Sequence, residues 1–395
     1  MQIVEEKISD LKLAIYNPRK ISIHDLGNLI ASIQEFGFVE PAVVNKDKTV
    51  IGGHQRIRAC QQIGIEKIPV FYVDVNKRKE KLLNLALNRI HGEWDEKKLY
   101  EVFLELDIKT PDFQLAGFEN FEVDKVFSEF GEQKEDDFDL DQSLERNKNP
   151  KSKRGEIYEL GRHRLMCGDA TNREDVEQLM DGKKADMVFT DPPYNVNYDF
   201  HNSGMVQSGQ RKARFGKIEN DCMDEKDFGE FVNSFLKLMN DYLKAGGVFY
   251  LMAGNESSSN FYMAIRNNGF KFSEFLLWVK DNFTITRWDY QPKHEFILYG
   301  WKEGKHRWFN NRSQVSVLEF KRRIGQTEYP TEKPVEMISY LLKNSSMQNE
   351  IIWDLFGGSG STLIACEQTN RICYMMEIDP VYCDVIRERY EKFIS

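Results

Sequence analysis

Two short apolar runs in the second half of the chain each end in a turn that few folds can accommodate. Residues 186–190 (Asp-Met-Val-Phe-Thr) stop at Asp191-Pro192-Pro193-Tyr194, and residues 351–354 run into Leu355-Phe356-Gly357-Gly358-Ser359-Gly360. Short apolar runs bounded by Pro or Gly read as buried strands, and two successive prolines, lacking N–H groups, cannot extend a ladder. The glycine turn leads into a helical stretch, 361–367, and then a short strand, 371–376, that ends at Glu377. Between the two motifs, residues 228–243 have helical spacing, Gly246-Gly247 breaks it, and 248–252 reads as a strand. A further helix at 261–267 and a strand at 272–279 continue the alternation. This pattern predicts an α/β fold with a doubly wound sheet. Ligands in such sheets sit beyond the carboxyl ends of the strands, so the Asp191 and Asp354 turns are expected to adjoin despite their separation in sequence.

The residues at those turns suggest a chemistry. A glycine turn alone is weak evidence for a ligand. Strand, glycine turn, helix, strand and terminal acid together let backbone approach a ligand while a carboxylate, about 20 residues on, meets ribose hydroxyls. The expected ligand is a nucleoside derivative. At the other turn, the Asp191 carboxylate and the Pro192 carbonyl are two acceptors that suit the N–H groups of an exocyclic amine. Pro192 and Pro193 hold the backbone rigid. Tyr194 offers a flat face to a base swung out of a duplex. The plainer alternative for the same four residues is a rigid turn with a capping Asp.

Composition narrows the remaining classes. At 395 residues with 41% hydrophobic content the chain is long enough for two or three domains. No run approaches the roughly 18 apolar residues of a membrane span, and the acidic start predicts no export signal. Six cysteines without a Cys-x-x-Cys pair fit reduced thiols in a cytoplasm and no metal site. The net charge of -9 is unusual for a nucleic-acid partner, but its distribution is uneven. Acid gathers in 132–141, whereas Lys and Arg cluster in 211–214, 302–312 and 321–323, interleaved with Trp288, Trp301, Trp308 and Phe309. Residues 197–217 and 283–325 are therefore expected to contact DNA.

Residues 155–395 resemble the amino-group DNA methyltransferases in which the catalytic motif precedes the cofactor motif. The resemblance is carried by Gly168-Asp169-Ala170, Asp191 to Asn195, Trp278-Val279-Lys280, His294 to Gly300, Pro330 to Pro334 and Asp354 to Gly360. It implies a Rossmann-like methyltransferase sheet, S-adenosyl-L-methionine as cofactor and double-stranded DNA as substrate. It further implies that Asp169 and Ala170 meet the cofactor's adenine, Glu377 its ribose, and Asp354, Phe356, Gly357, Gly358, Ser359 and Gly360 its methionine end, with Thr331 and Lys333 completing the pocket. Tyr329 departs from the family's usual His. Asp at the first motif position resembles adenine-N6 enzymes; cytosine-N4 is the alternative.

Upstream, 42–44 and 49–51 read as a hairpin, followed by Gly52-Gly53, a helix carrying Arg56 and Arg58, and a strand at 70–73. Glycines opening such a helix make a candidate anion site, the alternative being a turn with solvent-facing arginines. With Tyr16-Asn17-Pro18-Arg19 and residues 36–41, this region resembles the N-terminal domain of the ParB and sulfiredoxin superfamily. His54 and Gln55 depart from the family's glycine-arginine box. The expected organisation is a smaller α+β domain at 1–76, a helical extension at 77–131, a flexible charged linker at 132–154 and the methyltransferase domain at 155–395. The resemblance leaves open a nucleotide or protein partner for the first domain and a homodimer. It also leaves a second reading: a ParB-like DNA- or nucleotide-binding protein with an inactive methyltransferase fold.

Overall fold

The computed structural model describes residues 3–88, 93–106, 116–118, 120–130, 136–196, 221–283, 289–310, 312–321 and 332–395. The chain divides into two units, Met1–Glu132 and Gln133–Ser395.

In the first unit, strands β1 (Ile3–Lys7), β2 (Lys12–Leu13), β3 (Arg19–Lys20), β4 (Ala42–Asn45), β5 (Thr49–Gly52), β6 (Lys67–Val73) and β7 (Glu93–Trp94) alternate with helices α1 (Ile23–Phe36), α2 (His54–Gln62), α3 (Lys77–Asn88), α4 (Glu96–Glu105) and α5 (Asn120–Phe130). The main sheet has the order β1-β6-β4-β5-β2. The expected hairpin is β4–β5, turned through Lys48 at φ 69°. Gly53, at φ 98°, opens α2. His54 is buried there; its Nε2 accepts the Ala14 N–H at 3.2 Å, and burial with nearby Arg58 pushes its pKa down to about 4. Arg56 is paired with Glu40. Helix α3 is fastened to the sheet by buried Glu80, which accepts from Tyr16, Asn45 and Lys77.

The second unit contains α6 (Leu140–Arg146), β8 (Ile157–Leu160), β9 (His163–Cys167), α7 (Arg173–Met180), β10 (Ala185–Thr190), α8 (Glu225–Tyr242), β11 (Leu243–Ala253), α9 (Ser258–Asn267), β12 (Phe270–Val279), β13 (His294–Lys302), β14 (Val317–Glu319), α10 (Val335–Ser345), β15 (Ile351–Asp354), α11 (Ser361–Gln368), β16 (Ile372–Glu377) and α12 (Pro380–Ile394). One sheet runs β14-β12-β13-β11-β10-β15-β16-β9-β8. Its central strands β11, β10, β15, β16 and β9 are parallel. Because side chains alternate along a strand, β10 sends Val188 to the core under α7, α8 and α9, and Met187 and Phe189 to the core under α10, α11 and α12. Both faces are covered, which is why the β10 and β16 strands read as nearly continuous apolar runs. The doubly wound α/β expectation holds.

Residues 136–154 correct the linker expectation. Asp139 caps α6 by accepting the Gln142 N–H at 3.0 Å. Phe138, Leu140 and Leu144 pack against Val385 of α12. Ser143, Arg146 and Asn147 all bond Glu388, and the Ser152 N–H and hydroxyl bond Asp384. Only three apolar residues are buried, too few for periodicity to reveal, and polar bonds hold the rest.

The basic cluster at 302–312 is also placed differently from expectation. Strand β13 runs antiparallel to β11, so Lys302 and the residues after it emerge at the amino end of β10, the edge opposite Asp191. Lys302 Nζ donates to the Leu243 carbonyl at 3.1 Å, and Arg307 pairs with Asp186 and Glu350. Trp301 stacks near His306 with ring centres 4.1 Å apart. These charges and rings serve the fold. The expected DNA-contacting stretch 197–217, and positions 284–288, 311 and 322–325 of the second stretch, with Trp288, lie outside the described residues.

Candidate active site

Parallel pairing brings the motif residues to one edge. Val188 lies opposite Trp353, Asp354 opposite Met375, and Glu377 opposite Cys167. The turns after β10, β15, β16 and β9 therefore leave the sheet side by side, although they are separated by up to two hundred residues or so in sequence.

After β10, Asp191 enters a cluster of alternating charge. Its Oδ1 accepts the Tyr194 hydroxyl at 2.7 Å and its Oδ2 accepts Lys333 Nζ at 2.6 Å. Glu295, at the start of β13, lies 3.4 Å from Lys333 Nζ, pairs with Lys280 and approaches the Tyr194 hydroxyl at 3.3 Å. Burial raises the Asp191 pKa above the ordinary aspartate value, with Lys333 opposing. Burial also pushes Glu295 upward, but Lys333 and Lys280 outweigh it and hold this carboxyl below the usual range. For Lys333, burial works against the ammonium and the two carboxylates more than compensate, so it remains charged. The Tyr194 hydroxyl is pushed well above its ordinary range by burial and the same carboxylates, so it stays a donor.

Local packing fixes this turn. Pro192 is buried, and Asn195 adopts φ 58°. The Asn195 side chain makes a two-way bond with Met223, accepting its N–H at 2.7 Å and donating to its carbonyl at 3.0 Å. Gly254, just past β11, lets the Tyr194 ring lie against backbone; a Cβ there would sit 3.0 Å from Tyr194 Cδ2.

Beside it, the glycine turn forms a cradle. At Gly357 a Cβ would meet Met375 at 2.8 Å, whereas Gly358, at φ 51°, faces open space. Glu377 receives the Gly358 N–H at 2.8 Å and the Asp379 N–H at 2.9 Å. Burial raises its pKa to about 7. Asp354 is deeper still, accepting Thr190 Oγ1 at 3.0 Å and the Phe356 N–H at 3.1 Å, and burial likewise lifts it to about 7. Phe356 packs against Phe235 of α8, ring centres 5.2 Å apart. After β9, Asp169 accepts both the N–H and the hydroxyl of Thr171 at 2.8 Å, and Ala170 is buried.

Residues 185–388 match the family model described as DNA methylase, covering the acid turn, the glycine turn and everything between. The chain belongs to the DNA methylase family. Residues 1–89 match the ParB N-terminal domain. Among curated relatives, the Type II methyltransferase M.HpaI of Haemophilus parainfluenzae is 24% identical over 58% of this chain and 74% of its own. The Type II methyltransferase M2.MboI of Moraxella bovis is 25% identical over 52% and 81%. A crystal structure of the M1.HpyAVI–SAM complex aligns with a TM-score of 0.43 and 21% identity, over 57% of this chain and 97% of that one.

Enzymes of this family take the methyl group from S-adenosylmethionine. The glycine cradle of this methylase, with the Glu377 carboxylate beside its open side, fits such a ligand: backbone can approach it closely and an acid stands where ribose hydroxyls can donate. The structure brings Asp191, Pro192, Pro193, Tyr194, Asp169, Asp354, Phe356, Gly357, Gly358, Ser359, Gly360 and Glu377 to the one edge; Thr331 lies outside the described residues. Lys333, expected in the cofactor pocket, donates to Asp191. Asp354 is turned into its own strand end, bracing the turn through Phe356 and Thr190. Sequence reasoning missed the methylase's Glu295, Lys280, Asn195 and Gly254 as site residues. Asn195, Lys280 and Glu295 lie within the motifs that carry the resemblance, and for Lys280 and Glu295 a charge at the edge of an apolar strand is the signal that marks them.

Proposed function

We propose that this methylase transfers a methyl group to the exocyclic N6 amine of adenine in double-stranded DNA. The observation that carries the reading is the Asp191 carboxylate, set by Tyr194 and Lys333 at the strand edge that also carries the glycine cradle. Asp at the first position of the turn favours adenine over cytosine, and similarity to Type II methyltransferases supports site-specific modification of DNA. Recognition of double-stranded DNA is assigned to residues near 197–217 and to the part of 283–325 at the Asp191 edge. The ParB-like domain is assigned a role in DNA or partner recognition, and the cytoplasm is the expected location.

In this scheme the target amine donates one N–H to Asp191 and the other to the Pro192 carbonyl, which localises its lone pair for attack. The Tyr194 ring supplies a stacking face for the flipped base. Gly357, Gly358, Ser359, Gly360 and Phe356 hold the methionine end of the cofactor, Glu377 its ribose, and Asp169 with Ala170 its adenine. S-adenosylmethionine supplies an electrophilic methyl carbon whose bond to sulfur breaks as the new N–C bond forms. Asp191 then receives the proton that the methylated amine releases, a role that its raised pKa suits.

Asp191→Asn and Asp191→Ala are expected to lose nearly all turnover while binding S-adenosylmethionine as the wild type does. Methyl transfer from labelled cofactor, with parallel calorimetric titration, checks both. Turnover equal to wild type would remove Asp191 from the chemistry. Chromatography of nucleosides from methylated DNA should yield N6-methyladenine; N4-methylcytosine would overturn the choice of base.

A further inference from the structure

A fully buried arginine joins the segment before the methylase domain to both halves of the site. Arg389, on α12, is 1% exposed. Its Nη1 donates to the Ser359 carbonyl at 2.9 Å, to Ser359 Oγ at 3.1 Å and to Ser361 Oγ at 3.4 Å. Its Nη2 pairs with Glu332 Oε1 at 2.8 Å and with Asp136, which also accepts Nε–H at 3.2 Å. The guanidinium carbon lies 5.9 Å from the Phe138 ring centre.

Two of these contacts reach residues at or next to the site. Ser359 belongs to the glycine cradle, and Glu332 immediately precedes Lys333, which holds Asp191. Gly360 caps α11 with no side-chain bond and with φ 86°, and Arg389 bonds the serines on either side of it. A guanidinium presents its donors in a fixed planar fork, so orienting one edge orients the others. With Asp136 in place, the fork has a carboxylate at Nε and Nη2, which sets the direction in which Nη1 meets Ser359. With Asp136 neutral, the guanidinium is drawn toward Glu332.

We infer that Asp136 is a positioning residue for the cofactor turn: acting through Arg389, it holds Ser359 and Glu332 in place, so the segment leading into the methylase domain is part of the cofactor site. This rests on the assignment of residues 356–360 to the cofactor. An ordinary buried ion pair would stabilise the fold without acting selectively on cofactor affinity, and that difference is measurable.

The test is calorimetric titration of S-adenosylmethionine into the full chain, alongside steady-state kinetics. Asp136→Asn should raise the cofactor Kd and KM about tenfold, the loss of roughly one charge-assisted hydrogen bond. The kcat at saturating cofactor should fall by less than the affinity does, because Asp136 touches Arg389 and not the reacting groups. Arg389→Lys, which keeps the buried charge and loses the fork, should weaken cofactor binding to a similar extent and serves if Asp136→Asn does not fold. Arg146→Ala, on the same segment as Asp136, removes a bond to Glu388 of α12; its Kd should stay within about twofold, as for a part-exposed pair. Wild-type affinity in folded Asp136→Asn or Arg389→Lys would overturn the inference, as would equal weakening by Arg146→Ala. If the wild type itself bound no S-adenosylmethionine, the cofactor assignment would fall and this inference with it.

Discussion

Replacing Lys333 with Met should move the acid limb of the pH–rate profile to higher pH. Lys333 Nζ stands 2.6 Å from Asp191 Oδ2, where the attraction at an effective dielectric near 20 is about 6 kcal/mol. Desolvation of the two ions offsets much of that, and Asp191, whose side chain is 25% exposed, recovers some solvation from water. Roughly 1–3 kcal/mol of lost stabilisation of the carboxylate is then expected, equivalent to about one to two pH units. The sign follows from the form that works. Asp191 accepts the amine's hydrogen bond as a carboxylate, so activity disappears as pH falls through its pKa. Burial already raises that pKa, and removing the ammonium raises it further, so the variant loses activity at a higher pH and regains part of it in alkaline buffer. Among the described residues, the other ionisable groups near Asp191 include Tyr194, Glu295 and Asp354. Glu295→Gln removes a negative neighbour and should shift the limb the opposite way, whereas Lys333→Arg, which keeps the charge, should leave it near wild type. The assay is kcat/KM for methyl transfer to DNA from about pH 5 to about pH 9. Coincident acid limbs for wild type and Lys333→Met would refute the electrostatic argument, whatever the change in rate.

Two further substitutions probe the turn around Asp191. Gly254→Val should push the Tyr194 ring from its seat, since even a Cβ lies 3.0 Å from Cδ2; kcat is expected to fall on the order of a hundredfold, as for misplacement by about an ångström. Unchanged kcat at saturating cofactor and DNA would show that the ring's seat is unimportant. Asn195→Ala deletes both bonds to Met223 and leaves a Cβ-bearing residue at φ 58°. It should lower unfolding free energy by about 1–3 kcal/mol in a urea titration, and an unmoved midpoint would argue that the clamp contributes nothing.

The elements around the site were legible because their signals are local. Proline without an N–H ends β10 at Thr190, apolar runs mark β15 and β16, and Gly246-Gly247 separates α8 from the buried part of β11. Segment 136–154 was not, since it is held by Asp384, Glu388 and Arg389 from the far end of the chain, and no local spacing encodes a partner over two hundred residues away. Arg307 was misplaced for a related reason. Its charge resembles a DNA-binding charge in sequence, but the direction of β13 puts it against Asp186 and Glu350 at the opposite edge.

The linear sequence thus determined where strands stop, which turns demand glycine or proline, and that an acid stands at the end of β10. Tertiary structure alone decided what that acid meets. Glu295 and Lys280 arrive from β13 and the end of β12, Lys333 from the residues before α10, and Gly254 from the end of β11. Backbone geometry is settled by each residue and its neighbours, but the field around a carboxylate is the sum over every charge that the folded sheet brings close, and strand order and direction choose those charges.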